Sequence, residues 1–453
     1  MSGEEEPNQT MKYMNRFGCI GDACEENCCL DGWRIDVDKD HYEKLMAMAQ
    51  FSAKPIARRF SSTFIILPRK TKKDPERYLL KQFEGGGCSL FNKGWCDLHG
   101  TFGYEALPHV CAFYPRKLKY VGDIMELSAT ASCPEVTRQI ILPDDAVDLE
   151  PIDFSRVHRK VLQDGMDPRD RRPFFRLFVE VRDFVMQLLR DETLSWDQRQ
   201  FLMLWFSKRT TEVLAKKNTD PDTTLVKREM EILARPEIRH EIIKRYRDLV
   251  TPAALVLVIV RGIVRPLWNK LTGGVIDSYT RLAEMLPQSD DEAEHDAAAE
   301  RAVREPVHMT TIEVWAEYQR RRDRLRSVPS VARQADKYFR NYSLHTWFHR
   351  MPIEEGDILT YTLRTLTQQS AMKFLLYSQK HLQDFVTRYE EASEADKPAA
   401  EAALNDAFEK AAVSVFYQLA RHVEHGLLIK WLADMLKKMN MFSAAGGVYL
   451  IHF

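Results

Sequence analysis

The distribution of cysteine constrains the folding of this chain more than any other feature of its sequence. All eight cysteines lie between Cys19 and Cys133, and none occurs from residue 134 to residue 453. Cysteines that merely fill a hydrophobic core would be scattered along a chain of this length. The confinement therefore marks the N-terminal third as a separate chemical unit.

The spacing of the cysteines indicates a metal site. The first group is Cys19-x4-Cys24-x3-Cys28-Cys29, followed by Gly32-Trp33. Several thiolates that converge on one point suit a soft metal, and short spacings let one loop supply two or three ligands. Iron–sulfur clusters and structural zinc both take four thiolates, so eight candidates exceed one site. The candidate ligands are Cys19, Cys24, Cys28, Cys29, Cys88, Cys96, Cys111 and Cys133.

Three alternatives were weighed against an iron–sulfur cluster. Inert buried thiols would not cluster in this way, although free cysteine is often buried. A disulfide framework is not expected without an export signal. Zinc stays open as the alternative metal, but the C-x2-C pairs typical of zinc sites do not occur here. We therefore predict an iron–sulfur cluster, taken as [4Fe–4S].

The remaining composition indicates a protein of the cytoplasm. The net charge of −1 argues against a nucleic-acid partner, and Met1-Ser-Gly-Glu-Glu-Glu6 has neither the basic nor the apolar part of a secretory signal. The most apolar run, Ala253–Val260, is too short to span a bilayer and predicts a buried helix. We predict a soluble cytoplasmic protein with no membrane partner.

Hydrophobic periodicity predicts a mainly α-helical protein. A small, irregular, cysteine-rich α/β metal-cluster unit stands at the N-terminus, with strands at Thr63–Leu67 and Lys119–Val121 and a capped helix over Asp38–Gln50. A multi-helix domain follows, because apolar residues recur at helical spacing from about Ser155 onward. The predicted divisions are 1–150 for the metal-cluster domain, 151–287 for a helical domain, 288–306 for an acidic linker or insertion, and 307–453 for a C-terminal helical domain.

Further predictions come from local patterns in the helical half. Helical stripes cover Phe201–Leu214, Leu255–Leu271, Leu359–Tyr377 and Ala407–Met439, and a loop is expected over Glu390–Glu401. The basic run from Arg320 to Arg326 predicts a solvated helix paired with neighbouring acids, with an anion-binding patch as the alternative.

Several motifs together resemble the flagellin lysine-N-methylases, which share their cysteine region with a wider group of iron- or zinc-chelating cysteine-cluster proteins. The matching stretches are Cys19–Trp33, Cys88–Arg116 and Ser132-Cys-Pro-Glu135, with weaker matches at Tyr338-Phe-Arg-Asn-Tyr342, Trp347-Phe348 and Arg421-His-Val-Glu-His425. The resemblance implies methyl transfer from S-adenosylmethionine to surface lysines of flagellin or a similar protein, in an enzyme that contains an iron–sulfur cluster. A non-catalytic metal-cluster binding or carrier module is the alternative.

The resemblance also suggests where donor and catalytic groups lie. Arg116 can bind the carboxylate of S-adenosylmethionine, or can form an ordinary ion pair. Arg421, Glu424 and His425 share one face of the last long helix by their spacing, which predicts either an exposed charged face or a lining of the site. We take Glu424 and His425 as catalytic candidates and Arg116 and Arg421 as donor-binding candidates. His99 is either a ligand, a donor to a thiolate, or a turn histidine.

The sequence also bears on the type of donor site and of chemistry. No glycine-rich dinucleotide fingerprint is present, so a Rossmann-type donor pocket is not predicted. The radical methyl chemistry of S-adenosylmethionine normally uses C-x3-C-x2-C, and Asp31 stands where its third cysteine is required. The oligomeric state does not follow from the sequence.

Overall fold

The computed structural model shows two compact units. One, here the N-terminal unit, takes in the chain up to Tyr120 with Ile124–Val136 and Leu149–Gly165; the other, the helical unit, comprises Val121–Asp123, Thr137–Asp148 and Met166–Phe453. The structure describes residues 8–30, 33–51, 62–69, 71, 76–84, 86–157, 162–166, 173–215, 223–244, 251–253, 255, 309–351, 357–424, 434, 436–438 and 440–453.

The N-terminal unit is built on three small sheets. The strands are β1 (Gln9–Met11), β2 (Asp36–Asp38), β3 (Phe64–Leu67), β4 (Arg77–Leu80), β5 (Phe91–Asn92), β6 (Trp95–Cys96), β7 (Arg116–Val121), β8 (Ile124–Ala129), β9 (Leu149–Pro151) and β10 (Leu162–Met166). The largest sheet has the order β10-β7-β8-β1-β9, in which β1 runs parallel to β8 and antiparallel to β9. The other two have the orders β2-β4-β3 and β5-β6.

Short helices connect these strands. They are α1 (Lys12–Arg16), α2 (Lys39–Gln50), α3 (Asp97–Phe102), α4 (His109–Phe113) and α5 (Pro134–Ile141). Helix α2 begins where Asp38 caps it, since the Asp38 carboxylate accepts a hydrogen bond of 2.8 Å from the backbone N–H of His41. The capped helix and the strands predicted near Thr63 and Lys119 are thus confirmed.

Long helices make up the described part of the helical unit beyond residue 172. They are α6 (Pro173–Arg190), α7 (Trp196–Leu214), α8 (Thr223–Leu233), α9 (Pro236–Lys244), α10 (Met309–Arg326), α11 (Pro329–His349), α12 (Ile358–Tyr377), α13 (Lys380–Glu391), α14 (Lys397–Glu424) and α15 (Ala444–Ile451). Helix α12 and the part of α11 from Asn341 to His349 are buried on nearly all sides. The prediction of a mainly α protein with a small α/β unit at its N-terminus is confirmed, while the metal in that unit stays a prediction.

Two details of the helical prediction change. The loop expected over residues 390–401 is only residues 392–396, because α13 continues to Glu391 and α14 begins at Lys397. The low hydrophobicity there reflects solvent-facing helix ends rather than a break. Four predicted segments lie wholly or mostly outside the described residues. They are most of Ala253–Val260, most of the stripe Leu255–Leu271, the whole of the acidic segment 288–306, and the part of the last stripe between residues 425 and 433.

The basic run lies on α10, and its arginines are paired with acids. Arg320 and Arg321 both bond to the carboxylate of Glu317, at 2.8 and 2.6 Å, and Arg324 pairs with Glu390. The predicted pairing with neighbouring acids is confirmed, but the helix is not simply solvated, because Arg321 is only 8% exposed. These hydrogen bonds, that from Arg320 foremost, lower the pKa of Glu317 to about 2.

We expect Glu317→Gln to reduce the stability of the helical unit by about 2 kcal/mol at neutral pH, a value reduced to allow for solvent around Arg320. Because the pKa of Glu317 is lowered from 4.5 to about 2 by folding, its contribution is present above pH 4.5 and is lost as the pH falls toward 2. Denaturant unfolding at pH 7 and pH 3 should therefore show a difference between the two proteins that shrinks with acid. The exposed Glu313→Gln on the same helix is the control, and an equal effect of both variants would contradict the role of Glu317.

Crossing a membrane takes a long and strongly apolar helix, and none of the helices described above meets both requirements.

Candidate metal centre

Four of the eight cysteines pack against one hydrophobic core in the N-terminal unit. Cys88 is buried within this core, beside Leu90 and Leu98, and Cys29, Cys96 and Cys111 are partly buried against it. The four residues come from separate stretches of the sequence. Folding of the core therefore gathers thiols that the sequence keeps apart.

Cys28 is the residue that links these thiols to one another. Its thiol lies close enough to those of Cys29, Cys88, Cys96 and Cys111 for their charges to interact. The thiol of Cys29 also makes a side-chain hydrogen bond with Cys28. We call these five residues the five-cysteine group.

The backbone fixes the members of this group in place. The N–H of Cys88 donates a hydrogen bond of 2.8 Å to the carbonyl of Cys29, which joins the first cysteine motif to the second. Cys96 pairs with Phe91 in the β5–β6 hairpin and immediately precedes helix α3. Cys111 lies in the middle of the short helix α4. The hydrogen bond between Cys88 and Cys29, the β5–β6 hairpin and the short helix α4 thus set the relative positions of these cysteines.

The three motif stretches that carry the family resemblance meet through Trp33 and Tyr114. The indole N–H of Trp33 donates to the carbonyl of Cys28 at 2.8 Å, and its ring packs edge-on against Tyr114 at 4.4 Å between centroids. The hydroxyl of Tyr114 lies 3.1 Å from the hydroxyl of Ser132, next to Cys133. Trp33, Tyr-Pro-Arg and Ser-Cys-Pro are therefore parts of one structure around the cysteines.

Backbone N–H groups point at three of the sulfur atoms. Cys88 accepts from the N–H groups of Leu90 and Phe91, and Cys96 accepts from those of His99 and Leu98. Cys133 accepts from Val136 and Glu135 in the first turn of α5. A thiolate is a better acceptor than a thiol, so donors in these places favour the form of sulfur that binds metal.

Burial acts in the opposite direction on the same thiols. It raises the pKa of Cys88, Cys96 and Cys111, and the N–H donors to Cys88 and Cys96 offset only part of that effect. Burial likewise raises the pKa of Cys133 to about 12. Without a positive charge to compensate them, several buried thiolates would be costly, and a metal supplies such a charge.

Cys19, Cys24 and Cys133 form a looser second group. The thiol of Cys133 interacts electrostatically with those of Cys24 and Cys19, and the thiol of Cys24 with those of Cys19 and Cys28. Cys19 is exposed, and Cys24 donates its S–H to the carbonyl of Glu26 at 3.2 Å. Cys28 therefore connects the two groups, and the eight cysteines do not form a single uniform set.

The eight thiols suit a metal that prefers thiolate ligands, although their sulfur atoms do not converge on one point. None of the eight cysteines, all of which are described, is in a disulfide. In the parts of the chain that the structure covers, no three His, Cys, Asp or Glu side chains are arranged to hold a metal ion. The assignment of individual ligands stays a prediction.

The other predicted site residues take different positions. His99 is exposed on α3, where its ring lies 6.4 Å from that of Tyr104. Arg116 begins strand β7 and places its guanidinium 5.2 Å from the ring of Phe17, and Arg421 on α14 lies 5.5 Å from the ring of Tyr417. The side chain of Glu424 and the whole of His425 lie outside the described residues.

The structural partners of the cysteines were missed by reasoning from spacing. Trp33 and Tyr114 stood inside the motifs, but only folding shows that they pack together and that Ser132 joins them. The N–H donors at Cys96 and Cys133 had a recognisable signal, because each cysteine stands directly before a residue that opens a helix.

Neither a protein-family model nor a solved structure matches the chain. The chain is 31% identical over 137 residues to lysine-N-methylase of Salmonella typhimurium strain LT2, and equally to that of Salmonella choleraesuis strain SC-B67. Each alignment covers 30% of this chain and 33% of the methylase, so the chain matches about a third of the length of these relatives.

A further relative is matched over most of its length. The chain is 32% identical over 145 residues to the flagellar biosynthetic protein FliU of Salmonella muenchen. That alignment takes up 32% of this chain and 83% of the relative. The chain therefore belongs to the family of the flagellar biosynthetic protein FliU.

Proposed function

We propose that this protein is a cytoplasmic, S-adenosylmethionine-dependent protein-lysine N-methyltransferase that acts on flagellin or a similar surface protein. We further propose that its N-terminal unit holds an iron–sulfur cluster. The similarity to two lysine-N-methylases supports the reaction, and the FliU relative supports a flagellar substrate. The observation that carries the proposal is that the Trp33–Tyr114–Ser132 contacts unite the motifs around the cysteines.

The five-cysteine group supports the proposed cluster by its chemistry. It offers more thiols than the four that a cluster takes, on elements that the core already holds together. When bound, the cluster supplies positive charge and a rigid link between the motif stretches. Cys88 and Cys96 would hold it with sulfurs that backbone N–H groups already favour as thiolates.

The proposed reaction needs no electron. The lysine nitrogen forms a bond to the methyl carbon as the carbon–sulfur bond breaks, and the products are methyl-lysine, S-adenosylhomocysteine and one proton. The amine must be neutral to attack, and its usual pKa is about 10.4. Desolvation beside a sulfonium would lower that pKa, since both effects disfavour the ammonium form. Positioning of the two reactants then supplies much of the rate.

We propose that Arg116 and Arg421 are donor-binding residues, each able to bind the carboxylate of S-adenosylmethionine, and that Glu424 and His425 are catalytic residues. A guanidinium suits a carboxylate because it can donate two parallel hydrogen bonds. Glu424 can accept the proton that the amine must lose.

Measurements of metal content, donor binding and product formation on anaerobically purified protein test the proposal. We expect iron and inorganic sulfide in comparable amounts, with a coloured absorption spectrum, and saturable binding of S-adenosylmethionine. With flagellin added and no reductant, one S-adenosylhomocysteine should form for each methyl group transferred to lysine.

Other outcomes of these measurements would separate the parts of the proposal. Zinc alone would contradict the cluster and leave the methyltransferase standing. Iron and sulfide without donor binding would support the alternative, a metal-cluster carrier without catalysis. Release of 5′-deoxyadenosine, or a strict need for a strong reductant, would contradict the polar displacement but not the enzyme.

A further inference from the structure

A cavity of about 540 Å³ lies within the helical unit, and the proposed methyl transfer does not use it. Its volume is in the range of small-molecule sites, which run from roughly 300 to 1,000 Å³. Its lining includes five aromatic residues and three cations, namely Trp196, Trp315, Phe339, Tyr377, Phe453, Arg322, Arg326 and Lys373. This combination of flat apolar walls and positive charge is specific enough to indicate a class of ligand.

The charges of the cavity are divided between its interior and its rim. The side chains of Lys373 and Arg322 are only 9% and 19% exposed. The two acids that also line the cavity, Asp197 and Asp323, are 48% and 65% exposed. Lys373 is thus a positive charge held inside. Arg322 and Arg326 beside it pair at 2.9 Å with Asp323 and Asp336, whose carboxylates are 65% and 38% exposed, so water screens these acids.

Lys373 has capacity to bind a further group. Its ammonium donates one hydrogen bond, of 2.7 Å, to the carbonyl of Ile451. Asp197 lies 3.7 Å away, which is too long for a hydrogen bond. An ammonium has three donors, so two remain without a partner among the residues described around it. Burial lowers the pKa of Lys373, and the nearby Arg326 and Arg322 act in the same direction. An anion in the cavity would relieve both effects.

Trp196 supplies a second and independent sign of a ligand. Its side chain lines the cavity and is only 3% exposed. Its indole N–H is buried and has no hydrogen-bond partner within the part of the chain that the structure describes. A buried donor without a partner is costly, so an acceptor on a bound molecule would satisfy it.

The aromatic walls suit a planar ring. Trp315 packs at 5.1 Å from Phe453, and Phe339 lies 5.9 Å from the ammonium of Lys373. A ring between such walls would gain stacking contacts while its charged group reaches the cations. A purely aliphatic anion would use only half of these features.

We propose that this cavity binds a small anion that carries a planar aromatic ring, of the nucleoside monophosphate class. A phosphate dianion matches three cations better than a single carboxylate does. A sulfonium donor is net cationic and would meet like charges here, so this site is distinct from one for S-adenosylmethionine. The inference does not depend on the proposed function.

Titration calorimetry on the full-length protein tests this proposal with adenosine 5′-monophosphate as the probe. We expect saturable binding that weakens by about tenfold or more in Lys373→Met, because one buried charge-assisted contact is lost. Trp196→Phe keeps an aromatic ring but removes the indole N–H, and should weaken binding severalfold. Lys410→Met makes the same change at an exposed position of the same unit and should leave binding unchanged.

The two halves of the ligand are tested separately. Adenosine, which lacks the anion, and inorganic phosphate, which lacks the ring, should each bind at least about tenfold more weakly than the monophosphate. Equal binding of either one would overturn the corresponding half of the proposal. No saturable binding of the monophosphate, or equal binding by wild type and by both Trp196→Phe and Lys373→Met, would overturn all of it. Tighter binding of S-adenosylmethionine, abolished by the same variants, would assign the cavity to the donor instead and overturn it too.

Discussion

Cys28→Ser is expected to abolish metal binding and to unfold the N-terminal unit, while the helical unit keeps its helix content. Cys28 is the one cysteine whose charge reaches Cys24, Cys29, Cys88, Cys96 and Cys111 alike. Its backbone carbonyl also accepts the hydrogen bond from Trp33. Structural metal sites add on the order of 10 kcal/mol to folding free energy, which exceeds the stability of most small domains.

Apart from its hydrophobic core, the N-terminal unit has mostly short elements to hold its loops. Its strands are two to six residues long, and its short helices α3 and α4 span six and five residues. Removal of the metal should therefore release β5, β6 and the elements around them together. Cys111→Ser, which also alters a member of the five-cysteine group, should act in the same direction.

Hydrogen exchange followed by mass spectrometry measures the two units separately in one sample. Peptides from Arg116–Val121 should lose their protection in Cys28→Ser, and peptides from Ile358–Tyr377 should keep theirs. Cys19→Ser is the matched control, because Cys19 is exposed and lies outside the five-cysteine group. Unchanged iron content and unchanged exchange in Cys28→Ser would exclude this residue as a ligand.

The cysteine motifs point to where these thiols gather, because short cysteine spacings are typical of metal ligands, while the metal itself stays a prediction. The motif around Cys28 and Cys29 and the confinement of all cysteines to the first third were sufficient to predict a metal unit. The contact between Trp33 and Tyr114 could not be predicted, since it joins residues 81 positions apart through packing alone. Sequence patterns identify residues with special chemistry, such as cysteine, but not the packing residues that hold them in position.

The helical unit shows the same limit in another form. Periodicity predicted helices near α7 and α12, where apolar residues repeat at three and four positions. It did not predict the cavity, because Lys373 lies in an apolar stretch and Arg322 in a basic run, and neither pattern shows that the two residues line one space. A sequence pattern gives the face on which a side chain lies, but not whether another helix covers that face.

Strand β7 buries a charged residue and exposes the aromatic residue beside it. Lys119 is fully buried, whereas Tyr120 beside it is 40% exposed. The ammonium of Lys119 lies 3.1 Å from the carboxylate of Glu126 on the neighbouring strand β8, which is also fully buried. The second carboxylate oxygen of Glu126 accepts from the side-chain amide of Gln9 at 3.2 Å. Paired in this way, two charges are tolerated in the centre of the five-stranded sheet.

We expect Lys119→Met to reduce the stability of the N-terminal unit by about 3 to 5 kcal/mol, since it leaves the Glu126 carboxylate buried without its cation. Adding Glu126→Gln should restore at least half of that loss, because an amide removes the buried charge and still accepts from Gln9. Lys39→Met, at an exposed ion pair of the same unit, should have little effect. The free energy of opening of amides in Arg116–Val121, obtained from hydrogen exchange, measures all three variants. Two results would contradict this account: a loss of stability in Lys119→Met no larger than in Lys39→Met, or a further loss when Glu126→Gln is added. In either case the pairing of the two buried charges would not stabilise the sheet, and the pair would serve only to fix its register.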